Sequence, residues 1–197
     1  MSQRTYLKIP RDRIGVLIGP KGKAKKRIEN FFKVILEIDS ESGAVEIILT
    51  PEAQDITVIF IVKNIVQAIG RGFSPVRAEI LSREDYDLNI LDLRDYVGDS
   101  RNALSRVKGR IIGKDGKSRS ILEELTETRV SVYGYSVGII GHVESLDVAR
   151  EAILMLVKGS FHKTVWNYLY AYRRKMKKDR GELWYETPES KAELRKR

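Results

Sequence analysis

Residues 14–31 read IGVLIGPKGKAKKRIENF, and residues 108–125 read KGRIIGKDGKSRSILEEL. Laid over each other, they share Gly15/Gly109, Ile18/Ile112, Gly19/Gly113, Gly22/Gly116, Lys23/Lys117 and Glu29/Glu123. Similar residues fill Leu17/Ile111, Lys25/Arg119, Ile28/Leu122 and Phe31/Leu125. Downstream of these stretches the two halves agree in residue type rather than identity. Leu36 and Ile38, and later Val130 and Val132, alternate with polar residues and predict a strand in each half. A Gly-containing turn and a second strand come next, Val45 to Leu49 and Ser136 to Ile140.

A helical stripe then closes each half. Val58, Ile61, Val62, Ile65, Val66 and Ile69 recur at helical spacing, as do Ala149, Ala152, Ile153, Leu156 and Val157. The first stripe is rich in β-branched residues that favour strands, but its length and period decide for helix. Opening strands are expected at Tyr6–Ile9 and Leu88–Leu93. The second half carries extra residues before its glycines, where Asp99-Ser100 followed by Ala103, Leu104 and Val107 predicts a capped helix. Between the halves, Ser74 is an N-cap and Pro75 a first helical residue for a helix through Leu81. Phe161, Val165, Trp166, Leu169 and Tyr172 mark a last amphipathic helix, with a frayed tail expected from Asp179 onward. The chain of 197 residues suits a duplicated domain better than a solenoid, whose repeats are shorter.

The Gly-x-x-Gly tetrads carry the strongest chemical signal. Glycine lets backbone approach backbone, and the helix starting at the loop points its free N–H groups at whatever sits there. Charge around the first loop is of one sign: Arg11, Arg13, Lys21, Lys23, Lys25, Lys26 and Arg27 against Asp12 alone. Around the second, Arg101, Arg106, Lys108, Arg110, Lys114, Lys117 and Arg119 face only Asp115. Such sites suit a phosphate backbone. A formal charge of +9 from 36 basic and 27 acidic residues agrees with a polyanionic partner.

Ile-Gly-Pro-Lys-Gly at 18–22 and Ile-Gly-Lys-Asp-Gly at 112–116 resemble the signature loops of KH domains, which clamp about four nucleotides. The strand–helix–helix–strand–strand–helix order resembles their type I form. The resemblance implies an α+β fold of two tandem type I KH domains, residues 1–82 and 83–178, each a three-stranded antiparallel sheet with three helices on one face. The unit 83–178 also includes a C-terminal helix, and a charged tail, 179–197, completes the chain. The stretch from Asp99 through Arg150 is similar to the archaeal counterpart of the partner-of-Nob family of ribosome-maturation factors. That similarity implies single-stranded RNA as ligand, specifically small-subunit ribosomal RNA, with a processing nuclease or a translation initiation factor as protein partner. The expected contacts are Gly19, Pro20, Lys21, Gly22, Lys23 and Lys25, and Arg110, Gly113, Lys114, Asp115, Gly116, Lys117 and Arg119. Bases would enter grooves near Ile14, Ile18 and Leu36, and near Lys108, Ile112 and Val130. Pro20 departs from the usual loop and removes one N–H, so the second loop is expected to be the stronger clamp.

Other chemistries find little support. Neither Gly22-Lys23 nor Gly116-Lys117-Ser118 has the first glycine of a phosphate-binding P-loop. Absence of cysteine excludes disulfides and thiolate sites. His142 and His162 stand apart and read as structural. Glu123-Glu124 and Asp85/Asp87 read as solvated charge rather than a metal site, because neighbouring carboxylates on a helix point apart. Trp166 and Tyr172 read as core, leaving Tyr168, Tyr170 and the basic string at 173–178 as further RNA contacts. No apolar run reaches the length of a membrane span, and MSQRTYLKIP is no secretory leader, so an intracellular, cytoplasmic protein is expected. The expected function is non-enzymatic and without cofactor. The alternatives are a scaffold of the translation initiation machinery and, more remotely, a metal-dependent nuclease.

Overall fold

A computed structural model describes residues 3–53 and 55–184. The first half comprises β1 (Arg4–Lys8), α1 (Arg11–Ile18), α2 (Lys23–Phe32), β2 (Val34–Ile38), β3 (Ala44–Leu49) and α3 (Val58–Gly70). A connector holds the short helix α4 (Pro75–Ala78) and a tighter turn over Glu79–Ser82. The second half continues with β4 (Tyr86–Asp92), α5 (Arg94–Val97), α6 (Arg101–Ile112), α7 (Lys117–Thr126), β5 (Arg129–Tyr133), β6 (Ser136–His142) and α8 (Val143–Val157), and α9 (His162–Trp184) ends the described chain. Each half is a three-stranded antiparallel sheet with its last strand in the centre, in the orders β1-β3-β2 and β4-β6-β5. The expected α+β architecture is the one formed.

The packing follows from the apolar pattern. Val45 and Ile47 on β3 and Leu36 on β2 are fully buried against Leu17 and Ile28 of the helix pair, while α3 lays Val62, Ile65, Val66 and Ile69 into the same core. The β-branched stripe therefore forms a helix, because burial of one face outweighs a weak strand propensity. Glu29 and Glu123, identical between the halves, serve the sheets. Each accepts the backbone N–H of the edge strand beside it, Leu36 at 2.9 Å and Val130 at 2.7 Å.

Several element boundaries shift from expectation. β1 ends at Lys8, because the N–H of Ile9 turns to the carbonyl of Gly43. The extra residues of the second half add the single turn α5 and form the start of α6, the expected capped helix, which runs without a break to the glycines. Ser100 caps it, accepting from Ala103 N at 3.5 Å. Ser74 caps α4 as expected, accepting from Arg77 N at 3.4 Å. α9 continues to Trp184, past the point where fraying was expected, and the remaining tail lies outside the described residues.

The two halves share a seam that the repeat pattern did not announce. β6 is buried along nearly its whole length, with Val137 and Ile139 in the second core and Ile140 in the first. Phe73 of the connector lies so close to Gly138 that a Cβ there would stand 2.8 Å from its ring. Ser131 donates to the carbonyl of Arg71 at 3.0 Å, Tyr133 donates its hydroxyl to Asp12, and Arg13 lies 5.6 Å over the Tyr133 ring. The second sheet is thus covered on both faces, by its own helices and by the first half.

Phe73→Ala should lower unfolding free energy by about 3–5 kcal/mol, since it empties a fully buried aromatic site. Chemical denaturation checks this, and a loss near zero would mean the seam is not packed in solution. Tyr133→Phe should lose about 1 kcal/mol or less. Burial first, and then the hydrogen bond to Asp12, hold the Tyr133 phenol above its ordinary value of 10.0. The protonated phenol is the form the fold favours. Its contribution should therefore be whole through neutral pH and vanish as pH rises above that value. Stability curves of the two proteins should converge there.

Candidate nucleic-acid interface

The two glycine loops are superimposable in their backbone angles. Gly19 and Gly113 have φ/ψ of 70/174° and 72/176°, and Gly22 and Gly116 have 74/11° and 76/9°. Between them, Lys21 and Asp115 also sit in the left-handed region at φ 54° and 53°. The first glycine of each pair is required twice over. Its φ is positive, and a Cβ would lie 2.7 Å from Cβ of Ala24 in the first loop or of Ser118 in the second. At the second glycine only φ matters, because the first loop has open space there and the second only the tip of Arg119, 3.8 Å away.

This turn ends one helix and starts the next within a few residues. The N–H of each first glycine closes α1 or α6, on Gly15 and Gly109 carbonyls at 2.9 and 2.8 Å. The first amides of α2 and α7, on Lys23 and Lys117, close the intervening turn on the Pro20 and Lys114 carbonyls, and the positive end of each helix lies at the turn. Pro20 and Lys114 occupy the first position of the intervening turn. Proline suits that position conformationally but offers no donor, whereas Lys114 offers one. Asp115 has a backbone reason to be present, since aspartate tolerates the left-handed region better than lysine does.

Lys21, Lys23, Lys114 and Lys117 are exposed beside the loops. Lys25 is half-buried and lies 3.7 Å from Glu29. Arg119 folds back towards Gly116, and its Nε is buried with no hydrogen-bond partner among the described residues. Arg110 departs from its expected role. Its guanidinium donates to the carbonyls of Leu156, at 3.1 Å, and Ser160, closing the C-terminus of α8. Arg13 does the same for α3, donating to Ile69 and Phe73 carbonyls at 2.8 and 2.7 Å.

The expected groove lining also needs correction. Ile14, Leu36 and Val130 are core residues, because their side chains point beneath the helix pair, and of the expected apolar lining Ile18 and Ile112 remain partly accessible. Lys108 reaches across to the Gly134 carbonyl at 3.0 Å, tying α6 to the β5–β6 turn. Trp166 is half-buried rather than core; Val165 and Leu169 are the residues of α9 that are fully enclosed. Tyr172 is half-buried with its hydroxyl 3.3 Å from Ser145, and Tyr170 is exposed. In the basic string, Arg173 pairs with Glu124 at 3.2 Å. Arg106, His162 and Trp166 gather beside the second loop. Only the basic count around that loop hinted at the first of them, and nothing local to the sequence joined the other two.

Two loops of this geometry on two such sheets define a tandem KH architecture. The general KH domain description matches residues 4–60, and that of the second KH domain of PNO1, a eukaryotic type KH-domain (KH-domain type I), matches residues 87–174. A KH domain-containing protein of Methanocaldococcus jannaschii is 47% identical over 178 residues, which is 90% of this chain and 78% of that protein. The pre-rRNA-processing protein PNO1 of Chaetomium thermophilum is 38% identical over 118 residues, covering 58% of this chain but only 45% of that protein. The crystal structure of Dim2p from Pyrococcus horikoshii matches with 47% identity and a TM-score of 0.82, over 86% of this chain and 99% of that one. The same protein in a complex of a/eIF2alpha, aDim2p and rRNA matches at 46% identity and a TM-score of 0.85, over 89% and 96%. The chain belongs to the tandem KH-domain family that contains archaeal Dim2p and eukaryotic PNO1.

Gly113→Ala and Gly116→Ala should separate the two demands on the loop. Gly116→Ala introduces a left-handed alanine, costing about 1 kcal/mol, whereas Gly113, at φ 72° and ψ 176°, occupies a region that essentially only glycine adopts, costing about 1–3 kcal/mol. Only Gly113→Ala also collides with Ser118. Denaturation should show Gly113→Ala losing about 1–3 kcal/mol more than Gly116→Ala, and equal losses would contradict the close approach.

Proposed function

We propose that this protein binds single-stranded RNA without catalysing a reaction on it, using both Gly-x-x-Gly loops, and that its target is small-subunit ribosomal RNA during ribosome maturation. The matched geometry of the two loops supports this most directly, since it sets the positive end of a helix beside exposed lysines in each half. In this reading phosphates lie on Gly19, Pro20, Lys21, Gly22 and Lys23, and on Gly113, Lys114, Asp115, Gly116 and Lys117. Lys25 and Arg119 add charge from one turn further along their helices, and Arg110 supports the second loop from behind. The RNA-binding units are residues 1–82 and 83–178. Likeness to an archaeal Dim2p solved with rRNA supports the choice of ligand.

The same complex includes a/eIF2alpha, which favours a translation initiation factor as a protein partner and keeps a scaffold role as the second reading. A processing nuclease is the other candidate partner. Nuclease activity in this chain itself would need gathered carboxylates; among the described residues no three acidic, His or Cys side chains are placed to hold a metal ion. Nor is any helix among them long and apolar enough to cross a membrane.

Binding should favour single strands over duplex, because bases must leave the stack to be read. With about four phosphates neutralised per domain, log K should fall against log salt with a slope of about −3 per engaged domain. Charge reversal ranks the loops in the intact chain: Lys114→Asp should weaken binding more than Pro20→Asp combined with Lys21→Asp. Titrations at fixed salt, with circular dichroism to confirm folding, test this. A scaffold would keep its protein partner with both loops reversed, and a flat salt response would argue against phosphate recognition altogether.

A further inference from the structure

On one side of the second glycine loop, α6, α7 and the start of α9 border an open surface cavity of about 520 Å³. Its walls differ in chemistry. Arg106, Lys114 and Lys117 form one, all exposed and none ion-paired among the described residues. His162 and Trp166 form the other, one helical turn apart on α9, with ring centroids 5.8 Å apart and planes inclined by 47°. The first half has no helix in the position of α9, since the chain after α3 turns into the short α4 instead.

The floor is built rigidly. Arg110 is held by the Leu156 and Ser160 carbonyls, and its own carbonyl lies 3.0 Å from His162 Nε2. The imidazole is thereby fixed in orientation, and Trp166, half-buried, keeps part of its indole accessible. Cations and an accessible indole in one cavity match a nucleotide, which offers phosphate to the first and a stacking base to the second. An acidic peptide would use the cations but leave the rings without a flat partner.

We infer that this cavity is a second nucleotide site, taken by the RNA strand as it leaves the Gly113–Gly116 loop. Arg106 holds its phosphate beside the loop's Lys114 and Lys117, and Trp166 stacks its base, with His162 at the edge of the indole. The cavity lies on the face of α6 that carries Arg106 and Arg110, turned away from the face of Lys108 and Ile112. A strand occupying both would wrap around the glycine loop rather than pass it on one side. This rests on the reading of that loop as an RNA clamp.

Tryptophan fluorescence gives a direct test. The chain holds two tryptophans, so Trp184→Phe leaves Trp166 as the sole reporter. Oligoribonucleotides of about four nucleotides, the span of a KH loop, and of about eight should be compared. The longer strand should quench Trp166 and the shorter should not. Trp166→Leu should weaken the longer strand about tenfold, on the scale of one lost base stack. Arg106→Glu, a surface change that leaves the core intact, should do the same while altering the shorter strand by less than about twofold. Longer RNA that binds without quenching, and is indifferent to Arg106→Glu, would overturn the second site yet leave the loop reading standing. Failure of both strands to bind would remove the loop reading and this site with it. Equal quenching by poly-glutamate would assign the cavity to a protein partner instead.

Discussion

Two helices can be joined end to end in so few residues only if the backbone between them turns left-handed and nearly touches the second helix. That constraint is met twice, at Gly19 and Gly113, where a single methyl group would collide with Ala24 or Ser118. The consequences run outward from it. α2 and α7 begin at once, so the positive ends of both helices lie at the turn. The helix pairs take the orientation that lets Leu17 and Ile28, or Ile111 and Leu122, enter the cores. Lysines within and just after the turn, Lys21, Lys23, Lys114 and Lys117, are left in solvent. Fold and candidate binding surface are thus products of the same close contact.

The ends of α3 and α8 show a different kind of sameness. Both present carbonyls that a helix terminus cannot satisfy by itself, and both are closed by a guanidinium. The arginines are not equivalent in sequence, however. Arg13 aligns with Val107, and Arg110 with Val16, so the two clamps reach matching acceptors from different positions on α1 and α6. The need was common to both halves and the solutions were separate. It also explains why a basic residue beside a Gly-x-x-Gly loop need not turn its charge towards the loop.

The repeat, the strand and helix order and the glycine loops were legible because each has a local cause. Period two or period 3.6, a cap, or a pair of glycines can be read within a dozen residues. Features that depend on distant partners were not. Val137 to Ile140 carry no alternation, as expected for a strand covered on both faces, but nothing in the run says that the second cover is Phe73. Leu36 and Val130 looked able to line a groove because strand polarity shows which residues share a face, not how deep that face lies. Trp166 was read as core by helical spacing, which measures angle around an axis and not the distance to a neighbouring helix. Arg110 was assigned to RNA by proximity to the loop, whereas its acceptors lie on α8 and beyond.

A duplicated domain usually keeps its copies interchangeable, each a closed unit on a tether. Here one copy has become part of the other's wall. Gly138 is the mark of that loss, since it exists to admit Phe73 from outside its own unit. Swapping the order of the halves, lengthening the connector or grafting the second half onto another protein would each uncover an apolar sheet face that was never selected to meet water. The pair is therefore inherited as one object. Its two glycine loops keep a fixed separation and direction, acting as a caliper rather than as beads on a string.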